Sequence, residues 1–490
     1  DQLLSDSDFS MIDSFTNNLT KNWFLNNDIQ DKLNFESINL GSLIQPELHQ
    51  HILDYISKIV QVKKILENKI YTNVIAFTKI NYFILELCNK NNLSCTLIKS
   101  SHSTPLIRNS FKLKFNISKI PLSIKISRKN YLKIKNILEK IILKFNNNNS
   151  FDNNKKSILL FEFNIDNYED LLNSFSNSNK NILLLNTRRP TIWNFKTFKI
   201  MSNKKFSTIN LQNFQQFISP KISVESKKLK NKLETLWNST SLLHELFSFD
   251  SITFWPDLEN SFTNICNGRF LESISQILLF KEFLSRTDIS KILLWAEPFQ
   301  EEQELIALAK SKKIDIVYLQ HAMAAMEDAF KPQGNFISHF AHDSQCDKLA
   351  VWGVPAKKYA LTYNSTKNFF ATGSPRHDKF FNNKNFSQKK YILFATTHPH
   401  PSFSKALTAT SISNFLSFIT ETCNVFSNLP QKNLTLKPYP GPDDTLDIVK
   451  IAKKIDSNIS FTYDTNVLKL LQNCEFLITT NNSTIALEAM

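Results

Sequence analysis

The sequence predicts an α/β protein of two doubly wound, Rossmann-like domains, on three observations. At 490 residues it is too long for one ordinary core. Short apolar runs alternate with helical periods in both halves, the rhythm of strand–helix–strand units. Several of those runs, such as Ile158–Phe163 and Tyr391–Ala395, are largely apolar without alternation, as in parallel strands buried on both faces.

The elements follow in order. Residues 1–45 read as a polar, irregular segment rich in Asn and Ser. A helix is expected from Pro46, a residue suited to a first turn, with Leu48, Ile52, Ile56, Ile59, Val62 and Leu66 on one stripe. Asn73–Phe77 and Cys95–Ile98 read as strands. Residues 108–156, basic and Asn-rich, read as an exposed excursion. Strands are then expected at Ile158–Phe163 and Asn181–Leu185, with a crossover helix at Tyr168–Phe175. Long helices follow at about 224–248 and 270–285. Ile292–Trp295 and Ile314–Leu319 are further strands around a helix at Glu301–Lys310. From about residue 345 the pattern restarts, with strands at Leu349–Trp352, Phe369–Thr372, Tyr391–Ala395, Asn433–Leu436 and Phe476–Thr479. The predicted layout is an irregular 1–45, a first domain over 46–355 with helical insertions, and a second domain over 356–490. The second domain is expected to be incomplete, because Met490 falls one turn into a helix.

Composition narrows the class. The hydrophobic fraction of 42% supports a large core and excludes disorder by composition. Gly is scarce at 6 and Phe abundant at 41, a bias that runs along the whole chain. The net charge of +14 favours anionic partners: phosphates, nucleic acid or an acidic membrane face. Its lysines are scattered and no nucleic-acid-binding motif accompanies them, so nucleic acid is not the expected partner. Six Cys with no C-x-x-C pair point away from zinc and disulfides and towards a reducing compartment. No run reaches the roughly 18 apolar residues of a membrane span.

The densest chemistry lies at the end. Phe476–Met490 reads as a strand, a small polar turn and a helix start, with Ser483 or Thr484 at the helix N-terminus. Free amides there and the positive end of the helix dipole make an anion site. Glu488, four residues after Thr484, shares its face and can accept bonds from ribose hydroxyls. This resembles the donor turn of GT-B glycosyltransferases, those of capsule and surface-polysaccharide synthesis among them. It is similar also to the turn of CDP-glycerol glycerophosphotransferases.

Further motifs carry the same resemblance. In Ile316–Met323, Gln320 and His321 follow a strand, where those families place Gln-His-Gly; here Ala322 replaces the glycine. An imidazole with a pKa near roughly 6.5 can take a hydroxyl proton at neutral pH. The resemblance implies His321 as a catalytic base. Asp347–Gly353 and then Ala371–Asp378 match a strand ending in Trp-Gly and a Thr-Gly-Ser-Pro-Arg turn. In that turn Gly373 permits a sharp bend, Ser374 follows, and Arg376 offers a fork for phosphate. Thr396, Thr397 and His398 open from the strand at Tyr391 beneath the expected donor. Lys437 matches a Lys-Pro-His-Pro strand end, although Tyr439 stands where His is usual. Glu162, Asn164, Arg188, Arg189 and Glu297 lie beyond strand ends of the first half. Arg188, Arg189 and Gln320 are acceptor-side candidates, and Glu297 a second catalytic one.

The resemblance implies a metal-independent transferase without a cofactor, acting on a nucleotide sugar and a glycan or lipid-linked acceptor. It implies a cytoplasmic protein, with peripheral association at the inner membrane as a further partner. Asp6-Ser7-Asp8 spells a metal-binding D-x-D, but no strand precedes it. Three rivals remain. A sugar-nucleotide epimerase on the same fold needs no acceptor. A non-catalytic basic protein binds nucleic acid or membrane in a salt-sensitive way. A degenerate, inactive transferase is consistent with Ala322 and Tyr439.

Overall fold

The computed structural model describes residues 4–67, 71–76, 79–98, 110–117, 120–145, 155–175, 178–202, 206–297, 299–320, 345–363, 365–378, 380, 390–396, 412–429, 431–439, 448–464, 466–479 and 484–489. Two wholly parallel sheets organise them. The larger comprises β1 (Ser157–Phe161), β2 (Asn181–Leu185), β3 (Phe206–Thr208), β4 (Ile289–Leu294), β5 (Asp315–Leu319), β6 (Lys348–Val351) and β7 (Asn368–Ala371). Its spatial order is β3-β2-β1-β4-β5-β6-β7. The smaller comprises β8 (Tyr391–Ala395), β9 (Leu434–Lys437), β10 (Ser460–Phe461) and β11 (Cys474–Thr479), in the order β10-β9-β8-β11. Both sheets wind outward from their first strand and reverse beside it, which is the doubly wound arrangement the sequence predicts.

Burial on both faces explains the unbroken apolar runs. Leu159 and Phe161 of β1 enter one core while Ile158 and Leu160 enter the opposite one. In β8, Ile392 and Phe394 face one layer, and Leu393 and Ala395 the other. A strand's side chains alternate between faces, so each parallel strand supplies two cores at once.

The division expected at residue 355 moves. Lys348–Val351 and Asn368–Ala371 pair in register with β5 and with each other, so they complete the large sheet. The small sheet starts only at Tyr391. Nothing in a short apolar strand tells which sheet edge it will join.

Nor is the N-terminal segment irregular. Helix α1 (Asp6–Asn22) opens on a capping box, in which Ser5 accepts from the amide of Asp8 and the Asp8 carboxylate accepts from the amide of Ser5. It packs on α2 (Gln45–Glu67), burying Ile12 and Leu19. The apolar period Phe9, Ile12, Phe15, Leu19 was masked by Asn and Ser on the other face. Gly41, in the short helix between them, lets the chain close on Phe24: a Cβ there would meet the Phe24 Cβ at 2.6 Å. Next, α3 (Asn81–Lys90) lies between the parallel strands Asn73–Ala76 and Ser94–Leu97. Residues 108–156, expected as an excursion, hold an antiparallel hairpin, Ser110–Ile117 with Ile120–Ser127, and helix α4 (Arg128–Phe145).

Helices α5 (Gln215–Trp237) and α6 (Trp255–Arg286) close the large core. Asp257, at the start of α6, accepts from the amides of Tyr82 and Phe83 at 2.8 and 2.9 Å and so caps α3. Arg269 of α6, almost wholly buried, forks onto Glu47 of α2 at 2.7 and 3.0 Å. Phe262 of α6 sits among Trp23, Phe247, Trp255 and Trp237, with ring centroids 4.9–6.1 Å away. Edge-to-face packing of this kind adds to the area it buries. Phe262→Ala is expected to cost about 3–5 kcal/mol, read as a lower urea midpoint; a midpoint unchanged within error would show that the cluster closes over the gap.

Candidate functional site between the two parallel sheets

In an open parallel sheet, ligands bind beyond the carboxyl ends of the strands, where the winding reverses. That point in the large sheet lies between β1 and β4. Glu162 follows β1 with φ +61°, a strained left-handed conformation for a non-glycine residue. Its buried carboxylate accepts from the amide and hydroxyl of Thr187 and, at 3.0 Å, from the amide of Arg188. Its main-chain oxygen accepts from Trp295 Nε1, beyond β4, at 2.6 Å and from the Arg189 guanidinium. One residue thus fastens the loops after β1, β2 and β4.

Arg188 is committed to the protein's own carboxylates. Its guanidinium donates to both oxygens of Glu302, one contact at 2.8 Å, and lies 3.8 Å from Glu301 and 3.6 Å from Glu162. Glu301 and Glu302 open α7 (Gln300–Ser311), and the guanidinium rests 4.1 Å over the Phe299 ring. Burial works against the Arg188 cation, but the three carboxylates outweigh it and raise its pKa. Arg189, 5.5 Å from the centre of the Trp295 ring, has its pKa lowered, chiefly by burial. Glu297 is buried and accepts from the amide of Gln345 at 2.9 Å.

The turn that leaves β7 forms a second group. Gly373 has φ +79°, which a side chain would strain. Ser374 Oγ lies 2.6 Å from His377 Nδ1, and His377 Nε2 lies 3.2 Å from Glu488 Oε1. Arg376 is 3.6 Å from the same oxygen. After α8 (Ile412–Ser427) and α9 (Ile448–Ile455), Glu488 belongs to α10 (Thr484–Ala489), which follows β11, so residues leaving the large sheet meet the last helix described in the small one. Trp352, beyond β6, presses edge-on to His377 with centroids 4.8 Å apart. The Trp352 amide and Nε1 donate to Gln320 Oε1 and Gln320 O, at 2.9 and 2.7 Å.

Arg376 also reaches back. Burial pushes the Tyr168 hydroxyl up to about 12, partly offset by the charges of Arg376 and Arg189. Lys437, at the end of β9, is buried; burial lowers its pKa, while Asp464 and Glu488 work the other way. Thr396, beyond β8, accepts from the amide of Tyr439 at 3.3 Å, and Tyr439 itself is half exposed.

Of the sequence candidates, the structure brings together Ser374, Arg376 and Glu488, with the charge of Lys437 bearing on Glu488. Thr484 opens α10, one helical turn from Glu488. Arg188, Arg189 and Glu297 line the β1–β4 crevice, and Gln320 is tied to Trp352. His321, Thr397, His398 and Ser483 lie outside the described residues. Sequence reasoning passed over His377, although it stands beside Arg376 in the same motif. It also passed over Tyr168 and the pair Glu301–Glu302, which read as ordinary helical acids. Among the described residues no cluster of three or more His, Cys, Asp or Glu could hold a metal ion.

A cleft of about 450 Å³ opens beside the crevice, between α4, α5, α6 and α7, with Arg128, Glu272, Gln276, Glu301 and Glu304 in its wall. Glu304 is fully buried; Ser273 Oγ and Gln300 Nε2 donate to its Oε1 at 2.6 and 3.0 Å. Its other oxygen has no hydrogen-bond partner among the described residues.

No family model and no curated protein sequence matches the chain. Three solved structures are similar to it in chain path. A putative UDP-N-acetylglucosamine 2-epimerase from Listeria monocytogenes is 8% identical over 66% of this chain and 74% of its own, with a TM-score of 0.36. The Rickettsia bellii UDP-N-acetylglucosamine 2-epimerase is 12% identical over 68% and 76%, with a TM-score of 0.38. The Neisseria meningitidis enzyme, bound to UDP-GlcNAc, is 8% identical over 66% and 77%, with a TM-score of 0.35. The transferase expected from sequence is corrected here. The solved structures similar in chain path are 2-epimerases, and Arg188, one of the three acceptor-side candidates, is held by Glu302, Glu301 and Glu162.

Two outcomes follow from the buried charges. Arg188→Ala should cost about 3–5 kcal/mol, because it strands Glu302 in the interior. Adding Glu302→Gln to that variant should restore part of the loss in urea unfolding; a purely additive double variant would refute the pairing. Burial, reinforced by Glu301, pushes Glu304 up from 4.5 to about 8, against the hydrogen bonds from Ser273 and Gln300. The unfolded chain gives up this proton near pH 4.5 and the folded chain near pH 8. Stability from this group is therefore complete below about 4.5 and declines as pH rises through about 8. The melting temperature of Glu304→Gln should accordingly gain on the parent as pH rises from about 5 to 8; a constant difference would show that Glu304 is already ionised.

Proposed function

We propose that the chain is an enzyme that binds a nucleoside diphosphate sugar between the carboxyl ends of the two sheets and epimerises the sugar without an acceptor. The observation that carries this reading is the position of Arg376: on the turn that leaves the large sheet and 3.6 Å from Glu488 on the last helix of the small one. Arg376 and Lys437 supply positive charge for a diphosphate. Glu488, which the protein occupies with His377 and Arg376, can exchange those partners for ribose hydroxyls. The left-handed turn at Gly373 brings Ser374 and His377 to the same spot.

Epimerisation suits a site whose acceptor-side cation is already neutralised. Inverting a sugar carbon requires a proton removed from one face and one supplied to the other. If that carbon neighbours the one bearing the diphosphate, the nucleotide must stay held while its bond breaks and re-forms. Fixed cations on the diphosphate serve that need.

UDP-GlcNAc and other nucleotide sugars, incubated with the protein in D₂O without acceptor, should yield an epimer carrying ring deuterium by NMR. Arg376→Ala should weaken UDP binding at least roughly tenfold in calorimetry, the loss of one charge-assisted bond. Undiminished nucleotide affinity in that variant, or no deuterium from any nucleotide sugar, would remove the assignment.

A further inference from the structure

Helix α4 packs Ile142 on the core yet buries two charged side chains and turns an apolar stripe outward. Its inward side carries Lys135 and Glu139, both buried and 3.2 Å apart, with Lys135 Nζ donating to Asn186 O at 2.6 Å and the Thr191 amide donating to Glu139. Its outward side carries Ile134, Ile137, Leu138 and Ile141, which are 45–58% exposed. Their spacing of three, four and seven residues makes one continuous apolar stripe. Lys129, Lys133 and Lys140 are exposed along one flank of that stripe. Ile124, on the adjoining hairpin strand, is half exposed, and Lys125 beside it is exposed too. Scattered apolar residues on a surface need no explanation, but a four-residue stripe on one helix does.

We propose that the outer face of α4 docks onto an anionic lipid surface, lying in the headgroup plane with the isoleucine stripe inserted and the lysines against the lipid charges. Charge complementarity selects this occupant. An apolar stripe flanked by lysines, on a chain of net charge +14, matches a negatively charged bilayer. Two copies of the same face would set lysine against lysine. No helix among the described residues is long and apolar enough to cross a membrane, so the contact is peripheral. The surface does not depend on what the site between the sheets binds.

Vesicle flotation of the full chain tests this. Vesicles with about one-third phosphatidylglycerol should carry the protein, and pure phosphatidylcholine should not. Binding should fall steeply between about 0.05 and 0.5 M salt as the surface charge is screened. Lys129→Glu, Lys133→Glu and Lys140→Glu should each weaken it at least roughly fivefold. The double variant Ile137→Ser, Leu138→Ser should weaken it at least roughly tenfold. Its melting temperature should hold, since both side chains already face solvent. Equal flotation on both vesicle types, full binding by the double variant, or a dimer in light scattering that the double variant abolishes would overturn the proposal.

Discussion

A guanidinium taken out of water among carboxylates sets the conditions for the rest of the large sheet. Desolvating Arg188 is costly, and it is recovered only if its partners are held in place. Glu302 supplies the fork, Glu301 and Glu162 the surrounding charge, and Phe299 the flat surface beneath. The partners arrive from three places: the loop after β1, the segment before α7, and α7 itself, which supplies both Glu301 and Glu302. The ion pairs therefore fix the relative height of these loops at the point where the sheet's winding reverses. Glu162 serves the same end through its backbone, accepting from Trp295 and Arg189 in a left-handed conformation that costs energy by itself.

With Arg188 neutralised by the protein, the crevice offers Arg189 and Tyr168, and the turn after β7 brings Arg376 towards the same hydroxyl. Arg376 also faces Glu488, on the first helix after β11. The small sheet winds as the large one does, so its own reversal lies between β8 and β11, next to α10. A polar route between the two reversal points includes Arg376, whose charge acts on the Tyr168 hydroxyl, and Glu488, 3.6 Å from Arg376. His377, locked by Ser374 and packed on Trp352, gives that route a rigid wall.

The parallel strands were legible in the sequence because burial on both faces leaves an unbroken apolar run, as in Ile158–Phe161 and Ile392–Ala395. The N-terminal helices were not, because composition was weighed before period: Asn and Ser on the outer face hid Ile12 and Leu19. The edge strand β7 was found but expected in the second domain, since pairing is a tertiary choice that a four-residue strand does not encode. At the site, Arg376 and Glu488 announced themselves through small polar turns beside strands. Glu302 did not, because an acid in the first turn of a helix has an ordinary explanation in the helix dipole. Only coordinates reveal that Arg188 reaches it across more than a hundred residues of sequence.

The two faces of α4 are mechanically joined. Its inward Lys135 holds the carbonyl of Asn186, and the Asn186 side chain donates to the carbonyl of Phe163 at 3.1 Å. Asn186 stands two residues before Arg188, and Phe163 follows Glu162. Thr191, just past Arg189, is bound to Glu139 of the same helix. The loop that carries both arginines is thus pinned to α4 at each end, and α4 can shift only by moving that loop or by breaking the contacts of a buried lysine. The second course leaves Lys135 without its partners in the interior, so the first is the cheaper. A surface that fixes the outer face of α4 therefore also fixes the position of Arg188 and Arg189 in the crevice beneath it.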